Sequence, residues 1–375
     1  MRTLEQEVAL TRSNGDFRID PATSWPDATQ ELLLRAALQE GRLAHEAFAA
    51  WKQANGFSEY ADIDFLSTYL LPCVYGNLTR LGIADAWLSQ LAGLHRYHWT
   101  RNASRKREML DVVERLHAAQ LKFVIWGGFA LLAGQYFNDL GERPLLDAEL
   151  LLAPSDAMRA RQVFASVGWC ATAVPPPIAG WRSESWRGPN DQSIQVHFRW
   201  LPKPFPVVGI DRVLRHAMLA DFGTVKLHIP DAADLLTQAC VGSRRFQGDK
   251  SGQFTWVADA MCILQRGGSD VDWDRLWLES GLFGTRPTLC DSLEYLRTVM
   301  EAPVPDTWLA KARQETAPPA QKMAGRRLSG YVAAEQAAGR TPSASGLLRY
   351  VAWRASVELR KATHLGAKRT PVRPG

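Results

Sequence analysis

A change in hydrophobic pattern at about residue 120 is the feature that most constrains how this chain can fold. Residues 25–120 place apolar side chains at three- and four-residue steps, which is typical of amphipathic helices. Beyond them, FVIW at 123–126 ends in Gly127-Gly128, FALLAGQYF is helical again, and LLDAELLLA at 145–153 is typical of a buried strand. We therefore predict an α+β fold in which a small mixed β-sheet core is flanked by N-terminal and C-terminal helical regions.

The helical regions divide further. Helices are predicted over 64–81 and over 84–119, the second with a break near residues 100–104. Ser155 is predicted to cap a helix over 156–167. A helix that starts at Pro230 is predicted to run to Val241, because the missing N–H of proline costs nothing there. From 253 to about 309 the chain is again helical, with breaks at its glycines.

Two further strands are predicted in the core. Residues 193–200 alternate with period two, so that Gln195 and His197 lie on the polar face. Residues 224–229 form another strand. With the two runs above, these strands make the sheet.

The chain is predicted to consist of five consecutive segments. They are a polar N-terminal segment (1–24), an N-terminal helical region (25–114), the α+β core (115–230), a helical region packing on that core (231–310) and a basic helical tail (311–375). The tail has thirteen Lys or Arg against three Glu, a net charge of +10 in a chain of +5 overall. An anionic partner would suit this tail, and a solvated helix surface accounts for it as well.

Composition excludes several classes of protein. No apolar run reaches the roughly 18–20 residues that a membrane span needs, and the polar N-terminus has no signal-peptide core. We therefore expect a cytoplasmic protein without a membrane span. The five cysteines form no CxxC pair and the histidines no HxxxH pattern, which argues against a zinc enzyme.

One group of residues indicates chemistry. Asp147 and Glu149 are two apart on a predicted strand, so their side chains point to the same face and could together hold Mg²⁺. Gly127-Gly128, between a strand and a helix, lets backbone N–H groups approach phosphate oxygens. Arg143 could contact the same phosphates bidentately. These are the parts that phosphoryl or nucleotidyl transfer requires.

A solvated strand face is the alternative explanation for Asp147 and Glu149. Five leucines surround the pair, however, which predicts a largely buried strand: Leu145, Leu146, Leu150, Leu151 and Leu152. Two carboxylates at the rim of a buried strand are costly unless a cation compensates them. The sequence therefore favours the functional interpretation.

FVIWGGFALL followed by ERPLLDAELLLAP resembles the polymerase-β-like nucleotidyltransferase superfamily, in which a strand, a Gly-Gly or Gly-Ser turn and a helix precede a D-x-D strand. More narrowly, it resembles an uncharacterised bacterial nucleotidyltransferase family. IQVHFRW, VKLHIPDAADLL and TWVADAMCIL extend the resemblance over about residues 30–308. It implies a transferase with an NTP such as ATP as donor and Mg²⁺ as cofactor. The acceptor could be a peptide, a metabolite or an RNA end.

The sequence departs from that family at three positions. Trp126 replaces a lysine, Glu149 replaces the second aspartate, and Gln195 stands where the superfamily places a third carboxylate. An amide oxygen ligates a metal weakly and cannot act as a general base. His197, on the same strand face, could supply the base or could be structural. A single Mg²⁺ on Asp147 and Glu149 is therefore expected rather than two.

A basic cluster precedes the helix that contains Asp259. The resemblance places Arg244, Arg245 and Lys250 near the nucleotide, where they could contact the triphosphate, and a solvated loop explains them equally well. Asp259 is expected to be an internal hydrogen-bonding residue. Three hypotheses remain open: a Mg²⁺-dependent nucleotidyltransferase with a degenerate site, a pseudoenzyme that binds a nucleotide or a partner, or an RNA-directed module whose basic tail tethers tRNA or mRNA.

Overall fold

The computed structural model of the chain describes residues 25–55, 63, 65–173, 183–201, 208–242 and 254–314. Within this part, the sheet is preceded by α1 (Ala28–Leu38), α2 (Gly41–Asn55), α3 (Phe65–Thr68), α4 (Leu71–Arg80) and α5 (Leu88–Ala118). Helix α1 begins at a capping box, in which the Asp27 carboxylate accepts from the backbone N–H of Gln30 and the Gln30 side chain accepts from that of Asp27. The predicted helical region before the core is therefore present.

Helix α5 runs without a break, so the break predicted near residues 100–104 is wrong. This stretch contains neither Gly nor Pro, and Asn102 lies fully buried within it. The Asn102 side-chain amide donates to the backbone carbonyls of Leu140 (2.7 Å) and Arg143 (2.9 Å). A polar run that looks like a loop in the sequence is therefore a helix that holds the segment leading into the site.

Five strands form one mixed sheet in the order β1, β2, β5, β4, β3. The strands are β1 (Phe123–Trp126), β2 (Ala148–Leu152), β3 (Cys170–Ala173), β4 (Ser183–Arg187) and β5 (Ser193–His197). Strands β2 and β5 are parallel, and the other pairs are antiparallel. This sheet confirms the predicted α+β class and the mixed sheet. Strands β3 and β4 were not predicted, because their sequences, CATA and SESWR, lack a clear apolar alternation.

Strand β2 is shorter than the predicted strand over 145–153, because Leu145 belongs to the loop that precedes the strand. The carbonyl oxygen of Leu145 accepts a hydrogen bond from the Arg105 side chain instead of a neighbouring strand. Beyond the strand, the predicted cap at Ser155 is wrong. Residues Pro154–Asp156 form one turn of 3₁₀ helix, and α7 (Ala157–Ser166) begins after it without a side-chain cap.

A separate hairpin packs beside β1 and is made of β6 (Met218–Phe222) and β7 (Val225–Ile229). Strand β7 matches the strand predicted over 224–229, but it pairs with β6 in this hairpin and does not belong to the five-stranded sheet. Strand β6 was missed. Gly223 makes the turn between them with a φ of +74°, a conformation that favours glycine.

Helices surround the sheet and the hairpin. They are α6 (Gly127–Ala133) after β1, then α8 (Ile210–Leu214), α9 (Ala232–Thr237), α10 (Thr255–Gly267), α11 (Trp273–Leu282), α12 (Arg286–Thr298) and α13 (Asp306–Gln314). The helix predicted to start at Pro230 starts at Ala232 instead, because the Asp231 carboxylate caps it through the backbone N–H of Asp234. A π-helical turn, Gln238–Gly242, follows α9.

Helices α1, α10 and α12 share one aromatic core. Trp256, fully buried on α10, packs edge-on against Trp25 and obliquely against Tyr295 on α12. None of the helices in the described ranges combines the length and the apolar character that crossing a bilayer requires. Beyond Gln314, the basic tail lies outside the described residues.

Candidate active site

Asp147 and Glu149 point to the same side of the sheet, as their spacing predicts. Asp147 lies one residue before β2, and Glu149 pairs with Trp126 of β1 and with Gln195 of β5. Because neighbouring strands in register present their side chains together, Ser193, Gln195 and His197 share this side. We call these five residues, Asp147, Glu149, Ser193, Gln195 and His197, the site face.

Each carboxylate of the site face has a hydrogen-bond partner on β5. The Ser193 hydroxyl donates to Asp147 Oδ1. His197 Nε2 lies 2.8 Å from Glu149 Oε2, and both side chains are partly exposed, at 22% and 30%. An ionised carboxylate only accepts hydrogen bonds, so Nε2 of His197 carries the donated proton. Nδ1 of the same ring makes no hydrogen bond within the described residues.

The glycine turn touches Glu149 directly. Gly127 has a φ of +61°, and a Cβ atom on it would lie 1.9 Å from Glu149 Oε1. A Cβ on Gly128 would lie 2.1 Å from a methyl carbon of Leu145. At both positions a larger side chain would collide with its neighbour, so glycine is required. The glycine turn and the acidic pair, both predicted from the sequence, therefore lie together in the structure.

Gln238 is a member of the site that sequence reasoning missed. In the amide orientation that satisfies both neighbours, its side-chain oxygen accepts from Trp126 Nε1 at 2.9 Å and from the Gly127 N–H at 3.3 Å. Gln238 opens the π-helical turn after α9, and such turns often mark functional sites. No local motif of the sequence points to it, because it lies more than 100 residues from its partners.

The Arg143 side chain is bonded to Asp259 of helix α10 rather than directed at the glycine turn. Its Nε and Nη2 donate to the two carboxylate oxygens of Asp259, at 2.7 and 3.0 Å, and its Nη1 donates to the Pro144 carbonyl at 2.6 Å. Burial lowers the pKa of Arg143, but the Asp259 carboxylate raises it by more. The internal role expected of Asp259 is therefore what the structure shows, and a phosphate contact by Arg143 stays a prediction.

Gln195 occupies the position beside Glu149 where a third carboxylate was expected. Its Oε1 accepts a hydrogen bond from the Ser185 hydroxyl at 2.9 Å. Among the described residues, no group of three or more His, Cys, Asp or Glu is arranged to hold a metal. Asp147 and Glu149 are therefore the two acidic side chains on this face. Arg244, Arg245 and Lys250 lie outside the described residues.

Arg105 of α5 is a second residue that sequence reasoning missed. Its side chain is only 6% exposed, and its Nη1 donates to the carbonyl of Leu145, two residues before Asp147. An amphipathic pattern places Arg105 on a helix but does not show which loop that helix covers.

A sequence model of the family described as "uncharacterised nucleotidyltransferase" matches residues 65–301. The chain belongs to this nucleotidyltransferase family. The resemblance drawn from the Gly-Gly turn and the D-x-E strand is thereby confirmed, while a bacterial origin stays a prediction. A comparison with curated proteins gave no match.

Three solved structures share parts of the fold at low similarity. The antibiotic-resistance factor ANT(2'')-Ia is 8% identical, with 52% of this chain and 98% of that one covered and a TM-score of 0.36. The lincosamide adenylyltransferase LnuA, solved with lincomycin, is 12% identical over 42% and 94%, with a TM-score of 0.29. A nucleotidyltransferase-like protein from Paracoccidioides brasiliensis is 13% identical over 44% and 77%, with a TM-score of 0.30. Likenesses this remote carry no weight for the substrates of this chain.

Proposed function

We propose that this protein transfers a nucleotidyl group from an NTP to a hydroxyl-bearing acceptor, with Mg²⁺ held by Asp147 and Glu149. The observation that carries the proposal is the contact between the acidic pair and the glycine turn: the Glu149 carboxylate lies directly against Gly127. Membership of the nucleotidyltransferase family supports the same reaction class. The acceptor class, whether peptide, metabolite or RNA, is left to experiment.

The residues of the site face suit one Mg²⁺. This ion prefers oxygen ligands and is commonly held by one or two carboxylates together with water and substrate phosphates. Asp147 and Glu149 supply two carboxylates on one face, and their present partners are a hydroxyl and an imidazole that could exchange for a cation. Gln195 in place of an acid makes a second metal ion poorly supported. Bound there, Mg²⁺ would neutralise charge on the phosphates.

The transfer itself sets a requirement that His197 can meet. The acceptor oxygen forms a bond to the α-phosphorus, the bond from that phosphorus to the bridging oxygen breaks, and pyrophosphate leaves. The acceptor hydroxyl must lose its proton. His197 donates from Nε2 to Glu149, and its Nδ1 makes no hydrogen bond within the described residues, so this nitrogen can take a proton. Gln195 has no such capacity and would orient ligands.

Phosphate binding is assigned to the glycine turn and to arginine side chains. The N–H groups of Gly127 and Gly128 lie beside the acidic pair, and the Gln238 amide oxygen accepts from the first of them in the amide orientation that satisfies both of its neighbours. Arg143 is held 2.7 Å from Asp259 and interacts electrostatically with Glu149, so its positive charge lies near the acidic pair. Arg244, Arg245 and Lys250 stay predicted triphosphate contacts.

A pseudoenzyme is the second candidate, and Gln195 is the observation that favours it. With an amide beside Glu149, the site lacks the third acidic side chain that the superfamily resemblance implies, and Trp126 replaces a lysine. Such a protein would bind a nucleotide without transferring it. It would then act through a partner.

Calorimetry with each of the four NTPs, with and without Mg²⁺, tests both candidates. We expect Mg²⁺-dependent binding that is lost in Asp147→Ala and kept in Asp221→Asn, whose parent side chain is exposed on the β6–β7 hairpin. Metal-independent or absent NTP binding would contradict the proposal. Transfer of label from an α-³²P-NTP to cell extract, reduced in His197→Asn while NTP binding persists, would indicate the enzyme. Binding without any transfer would indicate the pseudoenzyme.

A further inference from the structure

The side of helix α5 that borders the site carries two arginines one turn apart. Arg101 and Arg105 are separated by four residues, so they lie on the same side of the helix, about 6 Å apart along its axis. Arg105 donates a hydrogen bond to the carbonyl of Leu145, in the loop just before the acidic pair. Arg101 lies one turn further out and is exposed to solvent.

Neither guanidinium forms an ion pair with a carboxylate within the described ranges. Arg101 donates to the Tyr97 hydroxyl and lies 5.5 Å from the centre of that ring. Arg105 makes its one hydrogen bond to a neutral carbonyl, and its buried Nε has no acceptor. Arg105 is therefore a buried cation without a bonded carboxylate, an arrangement that costs stability unless an anion compensates it.

The surrounding charges leave this region cationic. Burial and Arg101 lower the pKa of Arg105, whereas Asp147 raises it, so Asp147 is close enough to act on it. Burial, Arg101 and Arg105 lower the pKa of His98 to about 4, which keeps that ring neutral at pH 7. Arginine itself stays protonated under these conditions. The positive charge of Arg105 therefore lies close to Asp147, which attracts it without a hydrogen bond between the two side chains.

We propose that Arg101 and Arg105 bind the phosphates of the donor nucleotide beside Asp147 and Glu149. The planar guanidinium offers parallel N–H donors that match phosphate oxygens, and Nη2 of Arg105 makes no hydrogen bond to the described residues. This inference rests on the proposed function, because the donor is taken to be an NTP. It adds a phosphate contact from the N-terminal helical region, which the sequence motifs do not include.

Arg101 provides the clean test, because Arg105 also holds the Leu145 carbonyl and its removal would disturb the loop. Arg107 provides the matched control. It is an exposed arginine on the same helix, six residues away and turned to a different side, so Arg107→Ala makes the same change in charge. Arg105→Lys keeps the positive charge while losing the bidentate geometry. The probes are ATP, AMP and inorganic tripolyphosphate, each titrated with Mg²⁺ by calorimetry.

We expect Arg101→Ala to weaken ATP and tripolyphosphate binding about tenfold or more, since one charge-assisted hydrogen bond of about 1.5–3 kcal/mol is removed. AMP binding should change less, and Arg107→Ala should resemble the wild type. Arg105→Lys should weaken ATP binding while its melting temperature stays within a few degrees of the wild type.

Equal ATP affinities for Arg101→Ala and Arg107→Ala would overturn the inference while leaving the proposed function standing. If the wild type binds tripolyphosphate through Arg101 but shows no NTP binding that depends on Asp147, the proposed function fails and the phosphate site stands. Arg101→Ala that leaves tripolyphosphate binding intact but abolishes binding of a short RNA would assign the arginines to an acceptor, which also overturns the inference.

Discussion

The site face and the ion-pair network behind it use the same kinds of side chain in opposite ways. In the network, defined by Arg212, Asp231, Asp234, Arg275 and Glu279, both arginines bond to Asp234, which is 1% exposed. In the site face, the two partly exposed carboxylates bond to Ser193 and His197, and neither bonds to a lysine or an arginine of the described residues. Buried charges that are paired hold elements together, whereas accessible carboxylates without a cation are available to a ligand.

The network links three helices of the C-terminal half. Arg212 on α8 donates through Nε to Glu279 on α11 at 3.0 Å, and its guanidinium lies 4.1 Å from the ring centre of Trp200. Arg275, also on α11, contacts Asp234 at 3.2 Å at the start of α9. The π-helical turn bearing Gln238 follows directly from α9. The network therefore holds helix α9 in place, and with it the π-helical turn whose Gln238 lies beside the glycine turn.

Breaking the network should have the largest effect on stability. Asp234→Ala leaves two buried arginines without their shared carboxylate, and we expect the free energy of unfolding to fall by about 3–5 kcal/mol. Urea denaturation followed by circular dichroism measures this change. Asp221→Ala removes an exposed carboxylate and should shift the midpoint very little. A small loss for Asp234→Ala would mean that the network does not hold these helices.

Substituting a glycine of the turn should have an intermediate effect on stability. It should also displace Glu149 of the site face. Gly127→Ala strains a residue with positive φ, at a cost of about 1–2 kcal/mol, and its Cβ would push the Glu149 carboxylate away. Gly82→Ala, at a φ of +67° with nothing within 4 Å of the new Cβ, applies the same backbone strain without that contact.

We expect comparable backbone strain in the two glycine variants, and Mg²⁺-dependent NTP binding to weaken in Gly127→Ala alone. Thermal melting and calorimetry together separate the two effects. Loss of binding in both variants would show that general destabilisation, rather than displacement of Glu149, is responsible.

Removing a site-face carboxylate should cost little stability and much function. Asp147 is partly exposed, so water replaces its bond to Ser193 in Asp147→Ala, and the free energy of unfolding should change by no more than about 1 kcal/mol. Mg²⁺ binding should nevertheless be lost, because one of the two proposed carboxylate ligands is removed. Mg²⁺ titration and denaturation of the same variant check both values. If the free energy of unfolding fell by several kcal/mol instead, Asp147 would be a structural residue like Asp234, and the proposed difference between the two regions would be wrong.

Acid should lower stability through a residue of the helix next to the site. The pKa of His98 is lowered from 6.5 to about 4, first by burial and then by Arg101, Arg105 and His95. The unfolded chain therefore binds a proton between these pH values that the folded chain does not. The stability that His98 contributes is present above pH 6.5 and is lost as the pH falls towards 4.

His98→Asn should flatten this part of the stability profile, and His117→Asn, at an exposed position of the same helix, should not. Melting temperatures measured from pH 7 to pH 4 provide the comparison. Identical slopes for the wild type and His98→Asn would show that other groups govern the acid response.

The sequence by itself determined the local features of this protein: a strand with Asp147 and Glu149 on one side, a glycine turn before it, and helices around them. These follow from periodicities of 2 and 3.6 residues and from the backbone freedom of glycine, all of which act within a few residues. Even the family was evident from the order of these short motifs, and the match over residues 65–301 confirmed it.

Only the tertiary structure decided which distant side chains complete the site. Arg143 pairs with Asp259, 116 residues away, and Gln238 reaches Trp126 and Gly127 from a π-helical turn. Helix α5 stays intact through Asn102 because that side chain finds two carbonyls in a remote loop. These contacts form when helices and strands that are distant in the sequence pack together. A short stretch of sequence does not specify which of those elements will pack against each other.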